Sequence, residues 1–426
     1  MTGAEDRIGG EAPEAAARAA AEAQLARAEA AAGPPAELAA IPVPALSRVA
    51  VAGSGPAAVS LAAALAAAGL AVTLVEPDPH DARRAADMTA RLLDRLGALG
   101  PAWRVAADAA ALGQMEMLLD PGEGAGGAAR FAEALPPGAV VAFAAFGPEL
   151  AARAAELPDP ARAVGLEFEP PAHATRLAEV SPAPATAPDA LAAAFALAAR
   201  LGRIAVTAHG APLGERLALA ALDAADEMLI RGALPWELDE AMTAFGFETG
   251  PLAAQDLAGL PRAQAARARA GRPQQPIQPR MVAEGRLGKA AGVGWYRYPG
   301  GGGPVIDPLI EDLIREEAHF AGIPTRDWSA CEMRERLLLA QIAEGARLLG
   351  TGAARQAADL DLVSVHGLGF PAWRGGLMHY ADSLGAARIA GRLAALAAED
   401  GAGWEAPPLL ARLAESGGRF DGTGRG

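Results

Sequence analysis

The sequence predicts an α/β domain with a parallel sheet, followed by two related all-α domains. Three observations lead there. A β-type run, Arg48-Val49-Ala50-Val51-Ala52, is followed by a glycine turn, an Ala/Leu helix and a second β-type run, Ala71-Val72-Thr73-Leu74-Val75, that ends at Glu76. Further β-type runs, Met115–Leu119, Ala139–Ala142, Val164–Phe168 and Arg203–Thr207, alternate with helical segments, as a parallel sheet requires. Beyond about residue 213 the pattern turns helical and repeats itself. Glu215-Arg216-Leu217 with Gly232 returns 120 positions later as Glu335-Arg336-Leu337 with Gly352.

The elements follow in chain order. Residues 1–46 read as a flexible Ala/Glu-rich tail, because large apolar side chains are almost absent from it. Within it Pro13 to Ala32 suits a helix, with proline at the first turn and Gly33 at the end. Residues 47–208 make the α/β domain. Residues 209–284 are the first helical domain, 285–308 a linker with the run Gly300-Gly301-Gly302-Gly303, and 309–426 the second helical domain. Each helical copy continues into an acidic segment (Leu238-Asp239, Leu360-Asp361) and a Gly/Pro turn (Gly250-Pro251, Phe370-Pro371). So long a period means a duplicated domain, since solenoids use shorter units in greater number.

Composition narrows the function. The 426 residues hold 37 Lys plus Arg against 51 Asp plus Glu, a formal charge of −14 that argues against a nucleic-acid surface. At 52% hydrophobic the chain can bury sizeable cores, though much of that content is alanine. One cysteine, Cys331, excludes an internal disulfide and a cysteine-built zinc site. No apolar run is long enough to span a membrane, and no signal peptide is evident, so the expectation is a soluble cytoplasmic protein. No His/Asp/Glu grouping has metal-ligand spacing, and no metal is expected.

The glycine turn carries chemistry. In Gly53-Ser54-Gly55-Pro56-Ala57-Ala58, Gly53 permits the tight turn and Gly55 lets the backbone approach a pyrophosphate. Ala58 stands where a small residue packs helix on strand. A phosphate there rests on a helix N-terminus. Glu76, 21 positions after Gly55, is placed to bond ribose hydroxyls and to disfavour a 2′-phosphate. The expected cofactor is therefore NAD rather than NADP, bound by a Rossmann-like domain through Gly53, Gly55, Ala58 and Glu76. The competing reading is a domain of that shape that no longer binds tightly, since Pro56 removes one N–H near the phosphate.

Longer motifs carry a resemblance. Gly285-Arg286-Leu287-Gly288-Lys289, Gly292-Val293-Gly294-Trp295-Tyr296-Arg297-Tyr298, Glu335-Arg336-Leu337 through Arg347, and His366-Gly367-Leu368-Gly369-Phe370-Pro371-Ala372-Trp373-Arg374-Gly375-Gly376 together resemble the 3-hydroxyacyl-CoA dehydrogenase family. The likeness is to the dehydrogenase half of the multifunctional fatty-acid oxidation α-subunits and covers roughly residues 47–421. No segment resembles their hydratase/isomerase half. The resemblance implies oxidation of a 3-hydroxyacyl-CoA to the 3-ketoacyl-CoA with NAD in β-oxidation, substrate binding between the Rossmann-like and first helical domains, and an acyl-CoA ligand. It also implies a histidine base tuned by a glutamate, with a serine and an asparagine positioning the substrate oxygen.

Carried over residue by residue, those roles fall on unexpected side chains. The histidine segment reads Gly165-Leu166-Glu167-Phe168-Glu169-Pro170, which puts Glu167 at the base position, with Glu179 matching the partner glutamate. The serine segment reads Ala144-Ala145-Phe146-Gly147, and Glu215 stands at the asparagine position. Glu167 and Glu179 are thus the candidate catalytic pair. Two neighbouring carboxylates resist double ionisation, so one of them can serve as a base, but neither supplies an imidazolium. Weak or lost catalysis is expected, and altered catalysis is the alternative. The rival from another class is a non-catalytic binding or assembly protein, associating with a thiolase or with itself. His173 and His209 read as loop or surface histidines, with a substitute base as the other possibility; His366 and His379 read as packing or capping residues. Trp295, Tyr296 and Tyr298 read as inter-domain packing. Arg262 to Arg280 is either a solvated helical face or a partner for coenzyme A phosphates.

Overall fold

The structure, a computed structural model, describes residues 8, 15–43, 46–98, 102–122, 128–169, 171–273, 275–401 and 403–423. Pro13, Pro44 and Pro170 lie outside the described residues. The chain divides into a sheet unit, residues 28–212 with 353–355, and a helical unit, residues 1–27, 213–352 and 356–426.

After helix α1 (Ala15–Ala31) the sheet unit runs β1 (Arg48–Ala52), α2 (Pro56–Ala67), β2 (Ala71–Val75), α3 (Pro79–Arg95), β3 (Trp103–Ala106), β4 (Met117–Asp120), β5 (Val140–Phe143), α4 (Gly147–Ala155), β6 (Ala163–Phe168), β7 (Leu177–Pro182), α5 (Pro188–Arg200) and β8 (Ile204–Thr207). The strands order as β3-β2-β1-β4-β5-β6-β7-β8. All neighbours are parallel except β6 and β7, an antiparallel pair. Strand order reverses between β1 and β4, the position where such sheets open a crevice at their carboxyl edge. Alternate residues serve two cores. Val164, Leu166 and Phe168 face a core shared with α2 and α5, whereas Ala163 faces one shared with α4. Helix α2 is almost wholly Ala, Val and Leu and is buried from Ala58 to Ala66, so small side chains let it lie close on the sheet.

The helical unit contains α6 (Leu213–Ile230), α7 (Pro235–Phe245), α8 (Pro251–Ala258), α9 (Leu260–Arg269), α10 (Ile277–Ala283), α11 (Pro308–Phe320), α12 (Ala330–Thr351), α13 (Ala357–Leu368), α14 (Leu377–Leu384), α15 (Ala386–Asp400) and α16 (Pro408–Ser416). The duplication extends to individual bonds. Asp239 on α7 accepts from the Leu252 and Ala253 amides at the start of α8, at 2.8 and 2.9 Å. Asp361 on α13 accepts from the Met378 and His379 amides at the start of α14, at 2.7 and 3.0 Å. Gly250 and Gly376 lie so close to these two carboxylates that a β-carbon on either would overlap the aspartate side chain. The counterpart of Gly250 is therefore Gly376, not the Phe370-Pro371 turn that the sequence suggests, because what repeats is the aspartate-capped helix start. Corners at Gly259 (φ 91°) and Gly385 (φ 86°) complete the match.

Two expected boundaries change. The start of the chain is not simply a flexible tail: α1 forms, Ala21 and Leu25 are buried, and the buried Ile8 amide donates to Glu335 Oε1 at 3.0 Å. Alanine at close helix contacts does there what larger side chains do elsewhere. The linker is also folded over its first half. Trp295 donates its ring N–H to Gln255 at 2.5 Å, and the Trp295 and Tyr296 amides donate to Asp256 at 2.8 and 2.9 Å. The Tyr296 hydroxyl donates to Asp239 at 2.7 Å. These aromatics bind the linker to α7 and α8 of one repeat.

Burial pushes the Asp239 carboxyl up to about 6, against the hydrogen bonds that favour its ionised form. The folded chain then holds this proton more tightly than the unfolded one. Its contribution is complete below about pH 4 and disappears as pH rises through about 6. Relative to Asp239→Asn, wild type is expected to lose roughly 2–3 kcal/mol of stability between pH 4 and pH 7. Denaturant unfolding of both proteins across that range checks this, and a flat or rising difference refutes it.

Candidate active site

Gly53 follows β1 with φ of +97°, a backbone state that disfavours any side chain, and its amide donates to Val75 at 3.0 Å. The turn is thereby tied to the end of β2. Gly55 is extended and is the N-cap residue of α2, with Pro56 at the first helical position. Ala58 is fully buried, as close packing of helix on strand demands. Glu76 lies half-buried at the carboxyl end of β2, where its amide donates to Ala106 at 3.0 Å and its carboxylate accepts from the Asp78 amide at 3.0 Å. Asp78 in turn caps α3, accepting from the His80 and Asp81 amides at 2.8 and 2.9 Å. Those amides hold the Asp78 carboxyl below its ordinary range. Among the described residues Asp78, His80 and Asp81 are the group that brings three ligand-type atoms together, and the cap accounts for their arrangement. A turn built on two glycines at the start of a helix, with an acid at the end of β2, fits a dinucleotide.

Further along the carboxyl edge stand the two glutamates. Glu167 on β6 is the register partner of Glu179 on β7. Directly opposed residues of an antiparallel pair point to the same face, so the carboxylates are neighbours. They share the face opposite Leu166 and Phe168, with Glu179 buried and Glu167 half-buried. Phe146, buried, ends the loop after β5 and presents a ring rather than a hydroxyl at the start of α4. The sheet unit thus brings Glu167 and Glu179 together as the spacing suggests. Chemically the pair accepts hydrogen bonds and binds protons; it carries no positive charge.

His173 is tied elsewhere. Its Nδ1 lies 2.8 Å from Ser60 Oγ on α2, and its amide donates to the same oxygen at 3.2 Å. That anchors it on α2, which packs against the sheet face opposite the glutamates. Burial and the charges of Arg95 and Arg203 lower its pKa. Sequence reasoning passed over Ser60, although it is the one polar side chain in α2. His209 is exposed, and its amide donates to Ala353 at 2.8 Å. In the helical unit burial lowers the pKa of His379, whose backbone amide is one of the two that donate to Asp361.

Also within the helical unit, Glu215 accepts from Arg269 at 2.6 Å. Its repeat counterpart Glu335 accepts two bonds from Arg392, both at 2.8 Å. Position 215 therefore behaves like its copy, as one end of an ion pair to the fourth helix of its repeat. The Arg262–Arg280 segment is neither a wholly solvated face nor a set of free phosphate ligands. Arg267 is buried, Arg272 pairs with Asp223 and Glu344, and Arg280 with Glu284, Glu316 and Glu317.

An open α/β sheet whose first strand–helix turn and second-strand acid suit a dinucleotide defines the Rossmann class. Residues 127–211 match the NAD binding domain of 3-hydroxyacyl-CoA dehydrogenase, and residues 213–298 match its C-terminal domain. These two stretches resemble the two dehydrogenase domains of that family, side by side and in the same order, and the cofactor is NAD. A peroxisomal bifunctional enzyme of Danio rerio is 34% identical over 281 residues, which is 61% of this chain and 39% of that protein. A fatty acid oxidation complex subunit alpha of Acinetobacter baumannii is 29% identical over 277 residues, covering 62% of this chain and 38% of that protein. The chain thus spans about two fifths of the length of these relatives. The crystal structure of 3-hydroxybutyryl-CoA dehydrogenase from Escherichia coli K12 superposes with a TM-score of 0.69 at 20% identity, covering 87% of this chain and 98% of that one. The dehydrogenase part of a multifunctional enzyme from C. elegans gives 0.68 at 19% identity, covering 92% and 96%. At these identities the superpositions establish the fold. Among the described residues no helix is long and apolar enough to cross a membrane.

Proposed function

We propose that the chain binds NAD through Gly53, Gly55, Ala58 and Glu76, takes an acyl-CoA ligand, and oxidises 3-hydroxyacyl-CoA weakly or not at all, in a cytoplasmic setting. The observation that carries this is the register pairing of Glu167 with Glu179, two carboxylates where the resemblance implies a histidine with its glutamate. When bound, NAD supplies the hydride acceptor. The chain's part in such an oxidation is to take the hydroxyl proton and to hold the oxygen as its charge changes. Glu167 can take a proton, but its acid form replaces a cation with a neutral group, and the neighbouring Glu179 adds negative charge. Phe146 offers no hydrogen bond at all.

A second reading, a non-catalytic binding or assembly protein working with a thiolase or with itself, is favoured by one observation. Glu215 is engaged with Arg269 in the manner of Glu335 with Arg392. Calorimetry with NAD, beside NADH absorbance with a 3-hydroxyacyl-CoA, separates the readings. NAD binding with little turnover supports the first, and failure to bind NAD removes it in favour of the second.

Glu76 gives a sharper test of the cofactor site. Glu76→Ala is expected to weaken NAD binding roughly tenfold or more, the scale of one charge-assisted hydrogen bond, and to narrow the preference over NADP. Unchanged affinity for both cofactors in calorimetry counts against the assignment.

A further inference from the structure

We propose that Glu215 receives an amide N–H from the pantetheine arm of an acyl-CoA, so that the first helical repeat reads the carrier of the acyl group rather than its 3-oxygen. This rests on the acyl-CoA reading above. The duplication carries it, because the second repeat holds an equivalent carboxylate with its amide already in place.

In the second repeat Glu335 accepts three hydrogen bonds. Arg392 donates to both carboxylate oxygens at 2.8 Å, and the Ile8 amide donates to Oε1 at 3.0 Å. Ile8 is buried, and the Glu335 side chain is 1% exposed. An aliphatic segment with a backbone N–H is thus what this carboxylate takes once its arginine is engaged. In the first repeat the arginine is present and the amide is not. Arg269 donates to Glu215 Oε2 at 2.6 Å, whereas among the described residues no hydrogen bond reaches Oε1. The Glu215 side chain stays 18% exposed, so that oxygen is open to a ligand.

A carboxylate only accepts, whereas the asparagine that the resemblance implies at position 215 can also donate to a substrate oxygen. The partner of Glu215 Oε1 must therefore bring its own hydrogen. Pantetheine is peptide-like, with two secondary amides on an alkyl chain that ends at the thioester. Its N–H groups offer Glu215 what Ile8 offers Glu335, and a charged acceptor makes such a bond stronger than a neutral one. The ion pair to Arg269 holds the carboxylate in advance, which reduces the ordering cost of binding.

Acetyl-CoA is the probe, because it lacks a 3-oxygen. Calorimetry in saturating NAD compares it with two analogues in which one or the other amide N–H is replaced by an ester oxygen. One ester is expected to bind wild type roughly tenfold or more weakly than the parent, and Glu215→Leu is expected to close that gap. The comparison of parent with esters is made on wild type and does not depend on how the variant folds. Equal binding of the parent and both esters, or a gap that Glu215→Leu leaves unchanged, overturns the proposal while acyl-CoA binding itself stands. If acetyl-CoA and a 3-hydroxyacyl-CoA both fail to bind, the acyl-CoA reading falls and the proposal with it. A peptide spanning Ile8 that binds through Glu215 where these thioesters do not overturns the choice of ligand in favour of a protein segment.

Discussion

Purified protein supplied with NAD and a 3-hydroxyacyl-CoA is expected to produce NADH at least about 10²–10⁴-fold more slowly than a working dehydrogenase, the usual cost of losing a general base. In this oxidation the C–H bond gives up a hydride to the nicotinamide and the O–H bond gives up a proton, leaving the ketone. An imidazole that takes the proton becomes a cation beside an oxygen gaining negative charge. A carboxylate that takes it becomes neutral, and here a second carboxylate stands directly opposite on β7. The missing donor at Phe146 adds to the deficit, since one hydrogen bond aimed at developing charge is worth roughly 10²–10³.

For the same reason Glu167→His alone is expected to recover less than about tenfold. The combination with Phe146→Ser and Glu215→Asn is expected to recover more, provided that Arg269 tolerates the loss of its partner. A wild-type kcat of about 1–10³ s⁻¹, the ordinary range for enzymes, removes the weak-catalysis reading outright.

What could be read in advance follows the range of each interaction. β1, the Gly53 turn, α2 and β2 depend on contacts within about thirty residues, and their pattern is visible in the sequence. β3 was not anticipated, because Trp103–Ala106 is a four-residue strand at the sheet edge, without a fully buried face to impose alternation. β7 ends in Pro182 and pairs antiparallel within an otherwise parallel sheet, so its strand character emerges only with its partner. The twelve-residue spacing of Glu167 and Glu179 was nevertheless informative, because a hairpin converts spacing into register.

The duplication was legible as a period. Its exact correspondence was not, because Gly250 and Gly376 are matched by what each sits against rather than by their neighbours in sequence. The helical start of the chain was underestimated for a related reason: alanine signals close approach only when the surface it approaches is known.

The largest gap between sequence and structure concerns Arg267, and it leads to the largest stability effect. Nothing local distinguishes it from Arg262 or Arg269, yet only 1% of its side chain is exposed, and it forms ion pairs with Asp223 (3.1 Å) and Asp226 (2.6 Å) and donates to Gln278 (2.6 Å). Asp226 is itself buried on α6, and burial pushes its carboxyl up to about 7 despite the arginine beside it. Arg267→Ala would leave that group without its cation and open a cavity. The expected loss is about 3–5 kcal/mol of stability, read as a lowered denaturation midpoint of the helical unit. The ion pair itself is worth much less than its rupture, because desolvation of both charges offsets most of their attraction. Arg267→Met combined with Asp226→Leu is therefore expected to regain most of the loss, since neither charge then remains to be buried alone. If the double variant is as unstable as Arg267→Ala, the buried charge is not the cause, and the contacts of Arg267 with Asp223 and Gln278 must hold α9 and α10 in place instead.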